Sequence, residues 1–114
     1  VCPEQLGGLS TPRNPSEIIT YGNKDGNDVL SGCTKVLSNK GIDVTKNFIQ
    51  GAEETLKIAK EHNAKTAILK AGSPSCGYKK IYDGTFLGNK IQGMGVTAAI
   101  LNKENIALLD EDDI

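Results

Sequence analysis

The sequence predicts an α/β fold, and more narrowly a three-layer, Rossmann-like domain with a mostly parallel sheet. An amphipathic helix over residues 44–62 is followed almost at once by an aliphatic strand over 66–70. A helix followed by such a strand is half of a parallel βαβ unit. A second helix, 96–103, is followed in the same way by a strand over 106–109. A chain of 114 residues fits a single domain, residues 1–114, that buries a core without disulfides.

The remaining segments are shorter and are assigned in chain order. Residues 3–16 are rich in Gly, Pro and Ser and predict a long loop, a kind that is usually functional. Residues 17–21 combine β-branched and aromatic side chains and predict a short strand. The next segment is ambiguous, and short strands are expected around 29–30 and 34–37. A turn or hairpin is expected around 81–86.

The long helix has the clearest pattern. Asp43, or Thr45 if the start slips, occupies the N-cap position, and Asn63 suits the left-handed stop. His62, next to that stop, is predicted to cap the helix end rather than to bind a metal. The acidic tail, residues 110–113, is predicted to be a solvated end. Apolar residues recur at three- and four-residue steps, which gives one buried face: Phe48, Ile49, Ala52, Leu56 and Ala59.

Charge and composition exclude two classes of partner. The net charge is −1 and Arg13 is the only arginine, so no nucleic-acid partner is expected. No apolar stretch approaches the roughly 20 residues that span a bilayer, so no membrane partner is expected either. Three widely spaced cysteines argue against a disulfide framework and favour a reducing cytoplasm. The oligomeric state is left open.

Two short segments concentrate the residues that can do chemistry. The sequence Cys-Pro-Glu at 2–4 places a thiol and a carboxylate two residues apart, which suits a metal ligand with a proton-transferring neighbour. The sequence Ser-Pro-Ser-Cys-Gly at 73–77 follows a predicted strand, and ligands bind beyond the carboxyl ends of parallel strands. We therefore expect Cys2 and Cys76 to converge at one edge of the sheet. The alternative is that both segments are ordinary turns with small buried thiols.

Five longer segments follow one another along nearly the whole chain: Cys-Pro-Glu-Gln-Leu-Gly-Gly-Leu-Ser-Thr-Pro-Arg at 2–13, Gly-Ile-Asp-Val-Thr at 41–45, Ile-Leu-Lys-Ala-Gly-Ser-Pro-Ser-Cys-Gly at 68–77, Ile-Tyr-Asp-Gly-Thr-Phe-Leu-Gly at 81–88 and Gln-Gly-Met-Gly-Val-Thr-Ala-Ala-Ile-Leu at 92–101. In this order they strongly resemble the thiouracil desulfidase family. The resemblance implies hydrolytic removal of sulfur from a thio-nucleobase such as 2-thiouracil, at an oxygen-sensitive [4Fe-4S] cluster.

The resemblance also implies roles for individual residues. Three cysteines hold the cluster in the family and leave one iron open, and two of them fall on Cys2 and Cys76. The third lies upstream of the Cys-Pro-Glu block, where this chain has no counterpart, and Cys33 receives no ligand role. We therefore expect a chain that lacks its N-terminal segment and carries no cluster as it stands. Glu4 and Ser73 are implied to act on substrate or water at the open iron.

Substrate-binding residues and alternative functions complete the sequence-based hypothesis. Arg13 and Ser75 are predicted to bind the small-molecule substrate, although Arg13 could instead brace its loop through Glu4 or Glu17. The resemblance favours an enzyme. A non-catalytic domain that binds a nucleobase or a metal is the alternative. A different nucleobase enzyme, such as a nucleoside phosphorylase, is weaker because the chain has no arginine cluster for phosphate.

Overall fold

Short strands and helices alternate along the described chain, except that three strands follow one another between residues 66 and 92. The structure is a computed structural model that describes residues 3–9, 15–21, 23–70, 72–110 and 113. No helix in these ranges is long and apolar enough to cross a membrane. The described elements are, in order, α1 Pro3–Leu6, β1 Ser16–Ile18, α2 Gly26–Leu30, β2 Val36–Ser38, α3 Thr45–Glu61, β3 Thr66–Leu69, β4 Lys80–Tyr82, β5 Lys90–Gln92, α4 Val96–Lys103 and β6 Ala107–Asp110.

The described strands form three two-stranded sheets. Only β3 and β6 pair in parallel, with Ile68 opposite Leu109, whereas β1–β2 and β4–β5 are antiparallel. The β4–β5 connection, residues 83–89, is shorter than the dozen or so residues that a parallel crossover needs. A mixed α/β fold is therefore confirmed. The three-layer, Rossmann-like arrangement with a mostly parallel sheet is not confirmed by the described strands and stays a prediction.

Helix α3 is confirmed to within one residue at each end. Of its predicted apolar face, Phe48 and Ala52 are buried, whereas Ile49, Leu56 and Ala59 are half-buried against the core. Thr45 N–H donates to the Asp43 carboxylate, while Val44 is the N-cap residue itself. At the other end His62 is the C-cap residue, and Asn63 adopts the left-handed conformation with φ of 53°.

The region that was ambiguous in sequence contains a helix where a strand was expected. Residues 26–30 form α2, so the strand expected around 29–30 is wrong. Asp25 accepts the Asn27 N–H, and the Asp28 carboxylate accepts the Asp25 N–H, which completes a capping box. These bonds satisfy amides that a short helix would otherwise leave without partners. The long loop predicted over 3–16 is likewise interrupted at its start by α1.

The core consists of two adjoining clusters, and α3 and α4 pack against each other across them. The first cluster lies between α2, α3 and the antiparallel pairs, and it is centred on Ile18, Val29, Val36, Phe48, Ile81 and Val96. The second cluster lies between α4 and the parallel pair, and it is centred on Leu69, Ala98, Leu101 and Ile106. The opposite face of the parallel pair is open, and Ile68 is 62% exposed there.

Candidate functional site

Residues 73–77, the cysteine loop, form a turn that is closed by its own hydrogen bonds. The Ser73 Oγ accepts the Ser75 N–H at 3.1 Å and the Cys76 N–H at 3.0 Å. The Ser73 carbonyl accepts the Gly77 N–H at 2.8 Å. Serine favours this local bonding to the amides that follow it. The loop therefore has a defined shape that Ser73 sets.

Main-chain bonds attach the cysteine loop to the first turn of α4. The Val96 N–H donates to the Pro74 carbonyl and the Thr97 N–H to the Ser75 carbonyl, each at 2.8 Å. These amides are among those that a helix start leaves without intrahelical partners. A Cβ at Gly95 would lie 2.4 Å from the Ser75 carbonyl oxygen, so only glycine fits there. The loop and α4 therefore hold each other in place.

Ser75 is buried within this attachment. Its side chain is 1% exposed, and its Oγ lies 2.7 Å from the Thr97 Oγ1, which is 0% exposed. The sequence predicts that Ser75 binds substrate, but this burial argues against direct contact. The Ser75 hydroxyl instead forms a hydrogen bond with the Thr97 hydroxyl inside the protein.

Cys76 lies between the cysteine loop and the second core cluster. Its side chain is half-buried and packs against that cluster, and its Sγ is 3.9 Å from the Ser75 Oγ. Cys33, by contrast, is exposed just after α2, where its carbonyl accepts a hydrogen bond from Lys24. Of these two thiols, Cys76 is the one fixed by packing and by the hydrogen bonds of its loop, whereas Cys33 is exposed.

Glu4 lies in the first turn of α1 and is half-buried. Helix α1 is docked on α3 through the Asn47 side-chain amide, which donates to the Gly7 carbonyl at 2.7 Å. The backbones touch as well, since a Cβ at Gly51 would lie 1.9 Å from the Pro3 carbonyl oxygen. The turn that carries Glu4 is therefore fixed to the longest helix of the fold.

The predicted site residues thus fall into three groups. Ser73, Ser75 and Cys76 share one loop on α4, and Glu4 lies on α1, which packs on α3. Cys2 and Arg13 lie outside the described residues. Because α3 and α4 contact each other, both motifs are carried by one packed helix pair.

Asp113 forms hydrogen bonds with the two residues that follow the cysteine loop, Tyr78 and Lys79, and we call this contact the Asp113 clasp. Asp113 accepts the Tyr78 O–H at 2.6 Å and a Lys79 N–H at 2.8 Å. The hydrogen bond from Lys79, together with that from Tyr78, holds the pKa of Asp113 well below its ordinary value. Asp110 is 2% exposed and lies 3.5 Å from the Lys79 Nζ. The expectation of a solvated acidic tail is therefore wrong for Asp110, because β6 buries that residue.

A cleft of about 350 Å³ opens beside the turn that follows β4. Asp83, Thr20 and Tyr21 are among the residues that line it. The Asp83 carboxylate accepts the Thr85 hydroxyl at 2.6 Å and the Thr85 N–H at 3.0 Å. The hydrogen bond from the Thr85 hydroxyl lowers the pKa of Asp83. Asp83 thus organises an Asx-type turn.

Comparison with known proteins decides the family. A sequence model of the 2-thiouracil desulfurase family matches residues 1–113. The chain belongs to the 2-thiouracil desulfurase family. It is 50% identical over 113 residues to the uncharacterized protein YbbK of Bacillus subtilis (strain 168), an alignment that covers 99% of this chain and 73% of YbbK.

A solved structure is similar to this 2-thiouracil desulfurase chain throughout its length. The [4Fe-4S]-dependent thiouracil desulfidase TudS superposes on it with a TM-score of 0.84 and 39% sequence identity. The superposition covers 99% of this chain and 66% of the TudS chain. The chain therefore spans slightly less than two thirds of that relative's length.

The cofactor named for TudS can be tested against the residues of this 2-thiouracil desulfurase chain. Thiolates are the ligands of iron–sulfur clusters, and Cys76 offers one from a half-buried, hydrogen-bonded loop, which fits such a group. Within the described ranges, no group of three or more His, Cys, Asp or Glu side chains is placed to hold a metal ion. A metal site with three such ligands would therefore need residues from outside those ranges, and Cys2 lies outside them.

Two buried polar residues bond neighbouring loops in ways that the sequence did not predict: Thr97 bonds the cysteine loop, and Glu17 bonds the turn that follows β4. Thr97 is the polar residue in the apolar run Val-Thr-Ala-Ala-Ile-Leu at 96–101, a signal that was available. Glu17 is buried, and its carboxylate accepts the N–H groups of Gly84 and Phe86 at 2.9 and 3.3 Å. A lone Glu in a short strand carries no comparable signal.

Proposed function

We propose that the chain acts as a single domain over residues 1–114 and hydrolytically removes sulfur from a thio-nucleobase such as 2-thiouracil, with release of sulfide. Membership of the 2-thiouracil desulfurase family supports this reaction. The observation that carries it is the shared loop of Ser73 and Cys76, in which one hydroxyl oxygen accepts the amide next to the thiol at 3.0 Å. The thiols call for a reducing compartment, so we place the reaction in the cytoplasm.

We propose that Cys2 and Cys76 hold a [4Fe-4S] cluster as thiolates, together with a third ligand from outside the described residues. When bound, the cluster supplies an open iron, a Lewis acid toward a thiocarbonyl sulfur. The self-closed shape of the cysteine loop supports the assignment of Cys76, because a ligand held before the metal arrives loses little freedom on binding.

Ser73 is proposed to orient the substrate. Its oxygen accepts two amide N–H groups, from Ser75 and Cys76, so its lone pairs are used. A serine hydroxyl that accepts two hydrogen bonds still has one O–H to donate. Ser73 is thus suited to donate a hydrogen bond to the thio-nucleobase beside Cys76.

Glu4 is proposed to move protons. Its carboxylate would take a proton from the attacking water and return it to the departing sulfur. A carbon–oxygen bond forms and the carbon–sulfur bond breaks, so that thiouracil and water give uracil and hydrogen sulfide. Arg13 is proposed to bind the substrate. Ser75 was predicted to do so as well, but because it is 1% exposed we propose that it holds the loop instead.

The experiment uses the protein expressed from its complete reading frame and reconstituted anaerobically with iron and sulfide. Visible absorbance and iron content report the cluster, and sulfide release from 2-thiouracil reports the reaction. We expect Cys76→Ser to lose the cluster and Ser73→Ala to release sulfide at least about 100-fold more slowly per bound cluster, the usual scale for one positioned catalytic group.

Cys33→Ser is the matched control, because Cys33 is exposed and is given no ligand role. It should keep both the cluster and the sulfide release. If the reconstituted wild-type protein binds no cluster and releases no sulfide, the proposed function is wrong. Binding of 2-thiouracil without sulfide release would instead support the non-catalytic nucleobase-binding alternative.

A further inference from the structure

We propose that Thr97 is a positioning residue for the cysteine loop. Its buried hydroxyl holds Ser75, and through Ser75 it sets where Ser73 and Cys76 present their side chains. The consequence for sulfur removal rests on the proposed function, whereas the contact itself belongs to the folded chain and can be tested without a cluster.

The two hydroxyls satisfy each other in a buried setting. The Thr97 Oγ1 and the Ser75 Oγ are 2.7 Å apart, and the two side chains are 0% and 1% exposed. Every buried side-chain nitrogen or oxygen in the described residues has a hydrogen-bond partner. Removing the Thr97 hydroxyl would leave the Ser75 Oγ, among the described residues, with only the weak Cys76 thiol as a hydrogen-bond partner, and a poorly satisfied buried polar group is costly.

Ser75 is the residue through which a change at Thr97 reaches the reactive side chains. It lies between Ser73 and Cys76 in the chain, and its own amide is one of the two that Ser73 Oγ accepts. Its Oγ is 3.9 Å from the Cys76 Sγ. A shift of Ser75 would consequently change both the hydrogen bond from its amide to the Ser73 Oγ and the position of its Oγ beside the Cys76 thiol.

The hydroxyl of Thr97, rather than its volume, is what the loop uses. The neighbours of Thr97 on α4, Val96, Ala98 and Ala99, are apolar and fully buried, so valine would suit the same space. The main-chain bonds from Val96 and Thr97 to the loop carbonyls do not involve the hydroxyl. A Thr97→Val variant therefore keeps the docking of the loop and loses only the bond to Ser75.

The test compares Thr97→Val with Thr97→Ser, which keeps the hydroxyl. Both are made in a protein in which every other cysteine, Cys2 and Cys33 included, is replaced by serine, so that Cys76 is the thiol that reacts with dithiodipyridine, a neutral disulfide, at one fixed pH. We expect Thr97→Val to raise the rate of Cys76 modification at least about fivefold, because losing one buried hydrogen bond favours local opening by such a factor. Thr97→Ser should stay within about twofold of the parent.

Amide hydrogen exchange separates a local role from a general loss of stability. The amides of Ser75 and Cys76 donate to Ser73 Oγ, and that of Phe48 donates to Val44 within α3. We expect Thr97→Val to accelerate exchange at the two loop amides and to leave Phe48 unchanged. Ser75→Ala should act like Thr97→Val, and the double variant should add nothing, since both remove the same bond.

Two results would overturn the inference. One is equal thiol reactivity of the Val and Ser variants, and the other is equal acceleration of exchange at Phe48 and at the loop. Neither measurement needs a bound cluster. A protein that never takes up iron would thus count against the proposed function and would leave the positioning role of Thr97 standing.

Discussion

Gly51 and Pro3 are in direct backbone contact where α1 meets α3, and a Cβ at Gly51 would lie 1.9 Å from the Pro3 carbonyl oxygen. Pro3 separates Cys2 from Glu4 in the chain. The contact therefore holds the segment that carries the proposed proton-transferring carboxylate. A methyl group at position 51 cannot enter without moving α1.

Gly51→Ala should destabilise the protein, although alanine is the better helix former. Overpacking costs about 1–3 kcal/mol, whereas the gain in helix propensity is at most about 1 kcal/mol, so the clash prevails. Urea unfolding measures the difference. Gln50→Ala, at an exposed neighbouring position of α3, is the control and should change stability by less than about 0.5 kcal/mol. A Gly51→Ala protein as stable as the parent would contradict this packing.

Gly95→Ala should push the cysteine loop away from α4. Gly95 has φ of −71°, which alanine adopts readily, so any effect comes from the contact with the Ser75 carbonyl, 2.4 Å from the added Cβ. We expect a loss of about 1–3 kcal/mol in unfolding free energy. We also expect less iron per chain after reconstitution. Asn102→Ala, exposed on the same helix, should show neither effect, and a Gly95→Ala protein with full iron content would refute the steric argument.

Glu17→Ala should loosen the turn around Gly84. The Glu17 carboxylate accepts two amide N–H groups, from Gly84 and Phe86, and the variant leaves both without that acceptor. The expected loss is about 1–3 kcal/mol, and Glu17→Gln should lose less because its carbonyl oxygen can still accept. Thermal unfolding ranks the three proteins. Equal losses for Ala and Gln would show that the amides do not depend on this acceptor.

The clasp at Asp113 should make stability depend on pH at the acid end. The folded-state pKa of Asp113 lies below its ordinary value of 3.8, because Lys79 and Tyr78 donate hydrogen bonds to the carboxylate. A depressed pKa contributes stability that is present above pH 3.8 and is lost as the pH falls through the folded value. We expect Asp113→Asn to be less stable than the parent at pH 7.

Urea unfolding of both proteins at pH 7 and near pH 3 measures the difference for Asp113→Asn, which should shrink at the lower pH. Added salt should reduce the difference at pH 7, since the clasp is exposed to solvent. If the difference in unfolding free energy between Asp113→Asn and the parent is the same at both pH values, the variant acts through the shape of the side chain and not through its charge.

The elements that sequence predicted well are those encoded within one segment. Helix α3 repeats its apolar residues at helical spacing, and Asn63 marks its end, so both boundaries fall within one residue of expectation. Helix α2 was missed because the apolar pair at 29–30 suggested a strand. The carboxylates of Asp25 and Asp28, three residues apart, form a capping box that was the better signal.

Pairing between remote segments was much less accessible from sequence. The short connection over residues 83–89 allows only an antiparallel β4–β5 pair, and that much was visible. The parallel register of Ile68 with Leu109 joins strands 41 residues apart, and nothing within either strand specifies it. The same holds within the site. The cysteine loop was visible as a motif, but Thr97 lies 22 residues beyond Ser75, and only folding brings the two hydroxyls together.

The bonds from Val96 and Thr97 that fasten the cysteine loop to α4 end on backbone carbonyls, not on the side chain at position 76. Amides and carbonyls are common to nearly every residue, so exchanging the side chain at position 76 leaves those bonds in place. If Cys76 is a metal ligand, as proposed, the loop is a frame whose donor side chain can be exchanged. Histidine or aspartate in place of Cys76 would present nitrogen or oxygen from the same frame, and such ligands favour single metal ions over iron–sulfur clusters. The fold thereby offers protein engineers a small scaffold for redesigning metal selectivity.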